Sequence, residues 1–342
     1  MTRLTAGTAF TAIPKITLDQ WQASSLITRW MIASRAAVLV MTFSSAALAG
    51  VLALLAGTFQ FWPWLACTVG LLLAHATNNQ LNDYTDSKRG IDSGNYFRNQ
   101  YGAHVLEDGL LSVRALWLYM GVTGGGALLL GVYLLWQTGP QVIFPLLAGA
   151  FFLLFYTYPL KKLGLGEPAV LLVWGPLMTG GSYLVTTGVW DWQVALIGTV
   201  YALAPTAVIF GKHVDKLEFD AAKGVKTLPV RLGAQRSLRW IVAMTWLQYL
   251  SLPVLVLIGW LPWTVVIVGL ALPAARRLIR ACAEPRPDVC PPDYPESAWP
   301  LWYVAFAFAH ARSFGLLFLV SLLLAWPVQL VMTYLTGAGA AG

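Results

Sequence analysis

His75, Asn78, Asn82 and Asp86 recur at offsets 0, 3, 7 and 11, where an apolar run passes into N-N-Q-L-N-D-Y-T-D-S-K-R-G-I-D, Asn78 to Asp92. On a helix all four share one face. That face is polar while the helix behind it is not. A carboxylate at the end of a membrane segment is costly unless it is paired or holds a cation, and so marks a functional site. Carboxylate and amide oxygens are hard ligands suited to Mg²⁺, which in turn holds substrate phosphates. The stretch reads as half of a Mg²⁺-diphosphate site.

A second polar cluster runs from Gly211 to Arg231, G-K-H-V-D-K-L-E-F-D-A-A-K-G-V-K-T-L-P-V-R. Asp215, Glu218 and Asp220 are interleaved there with Lys212, Lys216, Lys223, Lys226 and Arg231. Two acid-rich helix ends on one side, each followed by basic residues, can hold Mg²⁺ over a diphosphate while Lys and Arg neutralise its remaining oxygens. A third corner, Y-T-Y-P-L-K-K-L-G-L-G-E from Tyr156 to Glu167, adds two tyrosines, Lys161, Lys162 and a carboxylate. Pro159 ends a helix there, and Gly164 and Gly166 turn the chain.

The elements that position these groups are membrane helices. Of 342 residues 58% are hydrophobic and 11% charged, against about 25% charged in ordinary soluble domains. Apolar runs near the roughly 20 residues a bilayer requires occur at 27–56, 60–82, 112–136, 140–159, 167–188, 192–213, 237–258, 260–281 and 313–335. They predict an all-α integral membrane protein, about nine transmembrane helices bundled around a central cavity with the polar site at its cytoplasmic end. Barrel strands would be half as long and would alternate. A further apolar piece, Trp299 to His310, reads as an interfacial or re-entrant helix. The domain reading is an interfacial segment over 1–26, the transmembrane domain over 27–336 and a short tail over 337–342.

Alternating the loops between two sides places all 22 Lys and Arg with the N-terminus and leaves one charge, Asp191, opposite. The basic side is the cytoplasm by the positive-inside rule, so the expected site is the inner (plasma) membrane with the C-terminus outside. The net charge of +7 then follows from topology and from attraction to anionic headgroups and substrates; no nucleic-acid partner is needed. Residues 1–26 lack the pattern of a cleavable signal. Thr17 or Asp19 can cap a short interfacial helix bearing Trp21, Leu26 and Trp30. Arg35, inside the first apolar run, either snorkels to the surface or faces a polar cavity. The loop 92–112 is long enough for a lid. Gly121, Gly124, Gly125, Gly126 and Gly149 are expected to permit close helix packing. Cys67, Cys282 and Cys290 form no C-x-x-C pair and read as packing residues.

Three segments in this order resemble the UbiA superfamily of intramembrane prenyltransferases: N-D-Y-x-D-x-x-x-G-x-D at Asn82 to Asp92, Y-x-Y-P-x-K-K-x-G-L-G-E at Tyr156 to Glu167, and D-x-x-K-G-x-K-T-L-P-V-R-L-G at Asp220 to Gly233. The late Asp92 and the G-L-G-E segment are most similar to the branch that prenylates dihydroxynaphthoate in menaquinone synthesis. The resemblance implies Mg²⁺-dependent transfer of a prenyl group from an isoprenoid diphosphate to a lipophilic or aromatic acceptor through a carbocation. It implies metal ligands among Asn82, Asp83, Asp86 and Asp92, and among Asp215, Glu218 and Asp220. Asn82, Asp86, Asp215, Asp220 and Tyr156 are then the candidate catalytic residues. Arg35, Lys88, Lys161, Lys162, Lys212, Lys216, Lys223, Lys226 and Arg231 are the candidate diphosphate contacts. Tyr84, Tyr156 and Tyr158 would stabilise a cation through their ring faces.

One departure stands out. The family places two Asp four apart before K-G-x-K-T-L-P, but four before Asp220 stands Lys216, with Asp215 one residue early. Asp215 is the favoured ligand, Lys216 as a fixed cation and Glu218 being the alternatives. Two further functional readings compete with transfer to an aromatic acceptor. One is another lipid-diphosphate reaction on this scaffold, including terpene cyclisation; the other is a transporter or non-catalytic binder of an anionic lipid.

Overall fold

Residues 5–11, 13–91, 97 and 102–335 are described by a computed structural model. Asp92, Tyr96, Arg98 and Tyr101 lie outside the described residues, as do residues 1–4 and the tail from 336. The described chain is helical throughout. In order the helices are α1 (Ala6–Thr11), α2 (Leu18–Ala23), α3 (Leu26–Ala33), α4 (Val40–Leu55), α5 (Phe61–Lys88), α6 (Val113–Thr138), α7 (Ile143–Phe155) and α8 (Gly166–Leu172). There follow α9 (Gly181–Thr187), α10 (Trp192–Asp215), α11 (Leu217–Ala222), α12 (Leu228–Leu232), α13 (Ala234–Leu257), α14 (Leu272–Ala283) and α15 (Tyr303–Leu335). Among the described residues, seven helical segments are long and apolar enough to cross a membrane. The expected runs at 60–82 and 260–281 fall on α5 and on the 3₁₀ segment Trp263–Ala271 with α14. Neither is among those seven: the apolar part of α5 is diluted by Trp62, Pro63, Trp64, His75, Asn78 and Asn79, and α14 carries three arginines.

The first apolar run is not one helix. It breaks at Arg35, which adopts left-handed backbone (φ 53°) between α3 and the short turn Ala36–Val38. In the segment before it Thr17 caps α2, as expected, in a reciprocal box with Gln20. Trp21, however, is buried, packed with Ile32 and with Ala103, Val105 and Leu110 of the loop after α5. A backbone bond from Ala103 N–H to the Pro14 carbonyl (2.9 Å) ties the two segments together.

Asp191 caps α10: its carboxylate accepts from the Gln193 and Val194 amides at 2.7 and 3.3 Å. A carboxylate there also complements the helix dipole. α4, α10, α13 and α15 share a core that includes Leu48, Tyr201, Leu252, Phe314 and Phe318. The piece Trp299–His310 is not a separate helix, since α15 starts at Tyr303 and runs on without a break. Of the five glycines expected at helix contacts, Gly124 and Gly126 do meet α5, at Thr77 and Leu73. Gly121, Gly125 and Gly149 face open space, Gly149 inside a cavity. Cys67 and Cys282 are buried thiols, as expected of packing residues.

Candidate active site

A cavity of about 570 Å³ runs through the bundle. Its apolar length is built from α5, α6, α7 and the α8–α9 segment, with Leu71, Leu146, Phe152, Trp174 and Met178 on its walls. At its polar end stand His75, Asn78, Asn82 and Asp86, the complete periodic face of α5. That face is intact because α5 continues as regular helix to Lys88.

Asp86 is buried, and its Oδ2 accepts from Lys161 Nζ at 2.6 Å. Asn82 Oδ1 accepts from the same ammonium (3.4 Å) and from Thr157 Oγ1 (3.2 Å). Lys161 reaches inward because the chain leaves α7 through Tyr158, whose extended backbone (φ −148°, ψ 126°) breaks the helix before Pro159. Lys162, one residue on, is exposed. Asn78 donates to the Leu153 carbonyl at 2.8 Å, and His75 Nδ1 lies 2.8 Å from Thr42 Oγ1 with its ring edge-on to Trp174.

Asp83 points away from this face. It pairs with the Arg35 guanidinium, and His104 Nε2 lies 3.8 Å from the same oxygen. Arg35, unlike Asp83, lines the cavity, which answers the earlier choice between snorkelling and facing a polar space. Of the three tyrosines expected around a cation, Tyr156 alone lines the cavity. Tyr84 stacks edge-on with Trp117, and Tyr158 lies under Arg89 at 3.5 Å. Trp174 and Phe152, which carried no motif signal, supply the other aromatic surface.

The second cluster departs further from expectation. α10 stops at Asp215, and Lys216 (φ −114°, ψ 19°) turns the chain into α11. The Asp215 carboxylate accepts from the backbone amides of Trp302 (3.1 Å), Tyr303 (3.1 Å) and Val304 (3.0 Å), the start of α15. It therefore satisfies orphan helix donors and is not brought together with Asp86. Asp220 is fully buried, accepts from Lys216 Nζ at 3.0 Å and does not line the cavity; Glu218 is exposed. The side chains of this cluster that do line it are Lys212, His213 and Lys216. His213 is held by Glu167, its Nδ1 2.5 Å from Oε1, both residues buried. No local pattern links residues 46 apart, so this pair escaped the sequence reading.

The remaining expected diphosphate contacts lie outside the cavity. Lys88, Lys162, Lys223, Lys226 and Arg231 are exposed. Two of them join the motifs at the surface: Lys223 Nζ donates to the Gly90 carbonyl (3.0 Å), and the Arg231 side chain packs on Gly164, whose positive φ (71°) and close approach leave no room for a Cβ. Among the described residues the polar end is thus lined by four cations, Arg35, Lys161, Lys212 and Lys216, and one carboxylate, Asp86. Cationic donors beside a long apolar space suit an anionic head on a hydrocarbon tail.

Comparison with known proteins decides the kinship. The model of the UbiA prenyltransferase family matches residues 43–291. The chain belongs to this family. Its sequence is 28% identical over 209 residues to a 2-carboxy-1,4-naphthoquinone phytyltransferase of Synechocystis sp., covering 59% of this chain and 65% of the relative. It is 27% identical over 210 residues to a 1,4-dihydroxy-2-naphthoate octaprenyltransferase of Haemophilus influenzae, covering 57% and 66%. The match therefore spans just under two thirds of either relative. A UbiA homologue from Aeropyrum pernix K1 shares the fold with a TM-score of 0.61 at 16% identity, over 83% of this chain and 97% of that one.

For a UbiA-family chain the question becomes whether a divalent ion fits. Among the described residues no three His, Cys, Asp or Glu side chains gather closely enough to hold one alone. The α5 end nevertheless suits Mg²⁺. Asp86 Oδ1 is buried with no hydrogen-bond partner among the described residues, and the Asn82 carbonyl lies one turn away. A sparse oxygen set of this kind fits an ion that keeps several waters and takes its other ligands from substrate phosphates.

Proposed function

We propose that this UbiA-family protein transfers a prenyl group from an allylic diphosphate to an aromatic, quinone-precursor-like acceptor, releasing diphosphate. The observation that carries this reading is the cavity that joins a long apolar space to an end lined by Arg35, Lys161, Lys212, Lys216 and Asp86. The names of the naphthoquinone and dihydroxynaphthoate relatives support the acceptor class. Asn82 and Asp86 would hold Mg²⁺, which supplies positive charge to the departing diphosphate. Arg35, Lys161, Lys212 and Lys216 bind the diphosphate oxygens as charge-assisted donors. Breaking the allylic C–O bond leaves the electron pair on diphosphate and a cation on the prenyl carbon. The ring faces of Tyr156, Trp174 and Phe152 attract that cation, and the apolar walls keep water from quenching it. The acceptor's ring carbon then forms the new C–C bond and loses a proton. Incubating purified protein with Mg²⁺ and allylic diphosphates of several lengths, with and without dihydroxynaphthoate-like phenols, tests this. Diphosphate release that depends on the phenol is the expected result. Release without any acceptor would point to cyclisation, and none at all would overturn transfer.

The polar end lies at the cytoplasmic face of the inner membrane, α5 and the segment Trp263–Ala283 complete nine crossings, and the C-terminus is outside. The Lys and Arg bias supports this orientation. α10, with 24 residues, spans about 36 Å at 1.5 Å per residue, enough to separate Asp191 from Lys216 by a bilayer core. In a Cys290→Ser background, cysteines at Lys88, Lys162 and Lys226 react with reagents confined to the cytoplasm, and one at Val189 reacts only from outside. Labelling of Lys162 and Val189 positions from the same side would refute the orientation.

A further inference from the structure

The two acid-rich helix ends of this chain are not equivalent. On the α5 side a carboxylate, Asp86, lines the cavity. On the α10 side none of Asp215, Glu218 and Asp220 does, and the reasons lie in three separate places. Asp215 spends its oxygens on the amides of residues 302–304. Turning away would strand those amides, and Gly211, one turn earlier, sits so close to Tyr303 and Val304 that a Cβ would fall 2.9 Å from their backbone atoms, which keeps the two backbones in contact there. Asp220 lies behind Lys216, and Glu218 is exposed. What this wall offers the cavity is ammonium groups, from Lys212 and Lys216.

We propose that Lys216, held in place by Asp220, is a built-in cation that does the work of a divalent ion on this side of the diphosphate, so that the protein uses one Mg²⁺, at Asn82 and Asp86. This rests on the diphosphate reading above. A divalent ion needs oxygen ligands, and among the described residues the α10 wall presents none from carboxylates. An ammonium needs none and carries three N–H donors. Lys216 is buried and its side chain is fixed through Asp220 Oδ1 at 3.0 Å, so its charge is oriented before substrate arrives. Preorganised charge of this kind stabilises a leaving anion without reorganisation at the moment of reaction. Asp220 is then a positioning residue, acting through Lys216.

The test counts ions and measures affinity apart from turnover. Purified protein is titrated with Mn²⁺, as a spectroscopic stand-in for Mg²⁺, in the presence of inorganic diphosphate. The wild type binds one Mn²⁺ per chain, and Lys216→Asp binds two. Asp215→Asn, which keeps an acceptor for α15, still binds one. Lys216→Gln keeps one Mn²⁺ but weakens diphosphate at least about 10-fold, and Lys216→Arg recovers the affinity, with melting curves confirming that both variants are folded. Two Mn²⁺ in the wild type would overturn the proposal. So would unchanged diphosphate affinity in folded Lys216→Gln, or equal loss in folded Lys216→Gln and Lys216→Arg. A wild type that binds diphosphate with one Mn²⁺ but turns over no allylic diphosphate loses the transferase reading and retains the Lys216 site. Failure to bind diphosphate at all removes both.

Discussion

Asp86→Asn lowers diphosphate release by at least about 10²-fold, the usual loss for one preorganised transition-state stabiliser, and leaves the folded protein intact. The substitution is nearly isosteric, and its amide oxygen can still accept from Lys161, whose ammonium is 2.6 Å from Asp86 Oδ2. What disappears is the negative charge of a carboxylate whose Oδ1 has no hydrogen-bond partner among the described residues. Asp86→Ala is the poorer experiment, because it also strands the buried Lys161 ammonium and mixes a folding cost with the catalytic one. Chelation abolishes release from the wild type and Mg²⁺ restores it. Wild-type turnover by Asp86→Asn, or full activity of the wild type in excess chelator, would remove the ion from the α5 end.

How far the site was legible in the sequence depended on whether the helix stayed regular. Over Phe61–Lys88 it does, so counting offsets from His75 found the face that lines the cavity, and Asp83, about 100° round from Asn82, was bound to point elsewhere. At Lys216 the helix breaks, and spacing across the break carries no angular meaning. Asp215 looked like a metal ligand displaced by one residue, yet its partners stand 87 to 89 positions on, at residues 302–304, where no local pattern signals a cap. The same cap explains why Trp299 to His310 leads straight into the last membrane helix: a carboxylate satisfies the first amides of α15. Composition alone could count basic residues but not sort them. Lys161 and Lys162 are neighbours, and only the break at Tyr158 decides that the first is buried against Asp86.

Asp83→Ala is expected to be the most destabilising single change near the site. Arg35 and Asp83 are both buried, at 7% and 1% exposure, and they join the break between α3 and α4 to the C-terminal part of α5. Asn79 makes a second tie across the same junction, donating to the Ser34 carbonyl at 2.9 Å. Removing one member of a buried ion pair leaves an uncompensated charge, at a cost of about 3–5 kcal/mol, and here the survivor is a guanidinium that cannot shed its proton. The loss is read as a lower unfolding midpoint and a smaller monodisperse fraction in detergent. Replacing the pair together, Arg35→Met with Asp83→Leu, removes both charges and restores most of that stability, since apolar replacements of a buried pair are commonly neutral or better. Turnover does not return with it, because Arg35 lines the cavity and its charge is lost from the diphosphate end. The double-mutant cycle separates the two roles. Wild-type stability in Asp83→Ala, or a double variant no more stable than the single one, would show that the ion pair does not hold the junction; full turnover in a folded double variant would show that Arg35 does not serve the site.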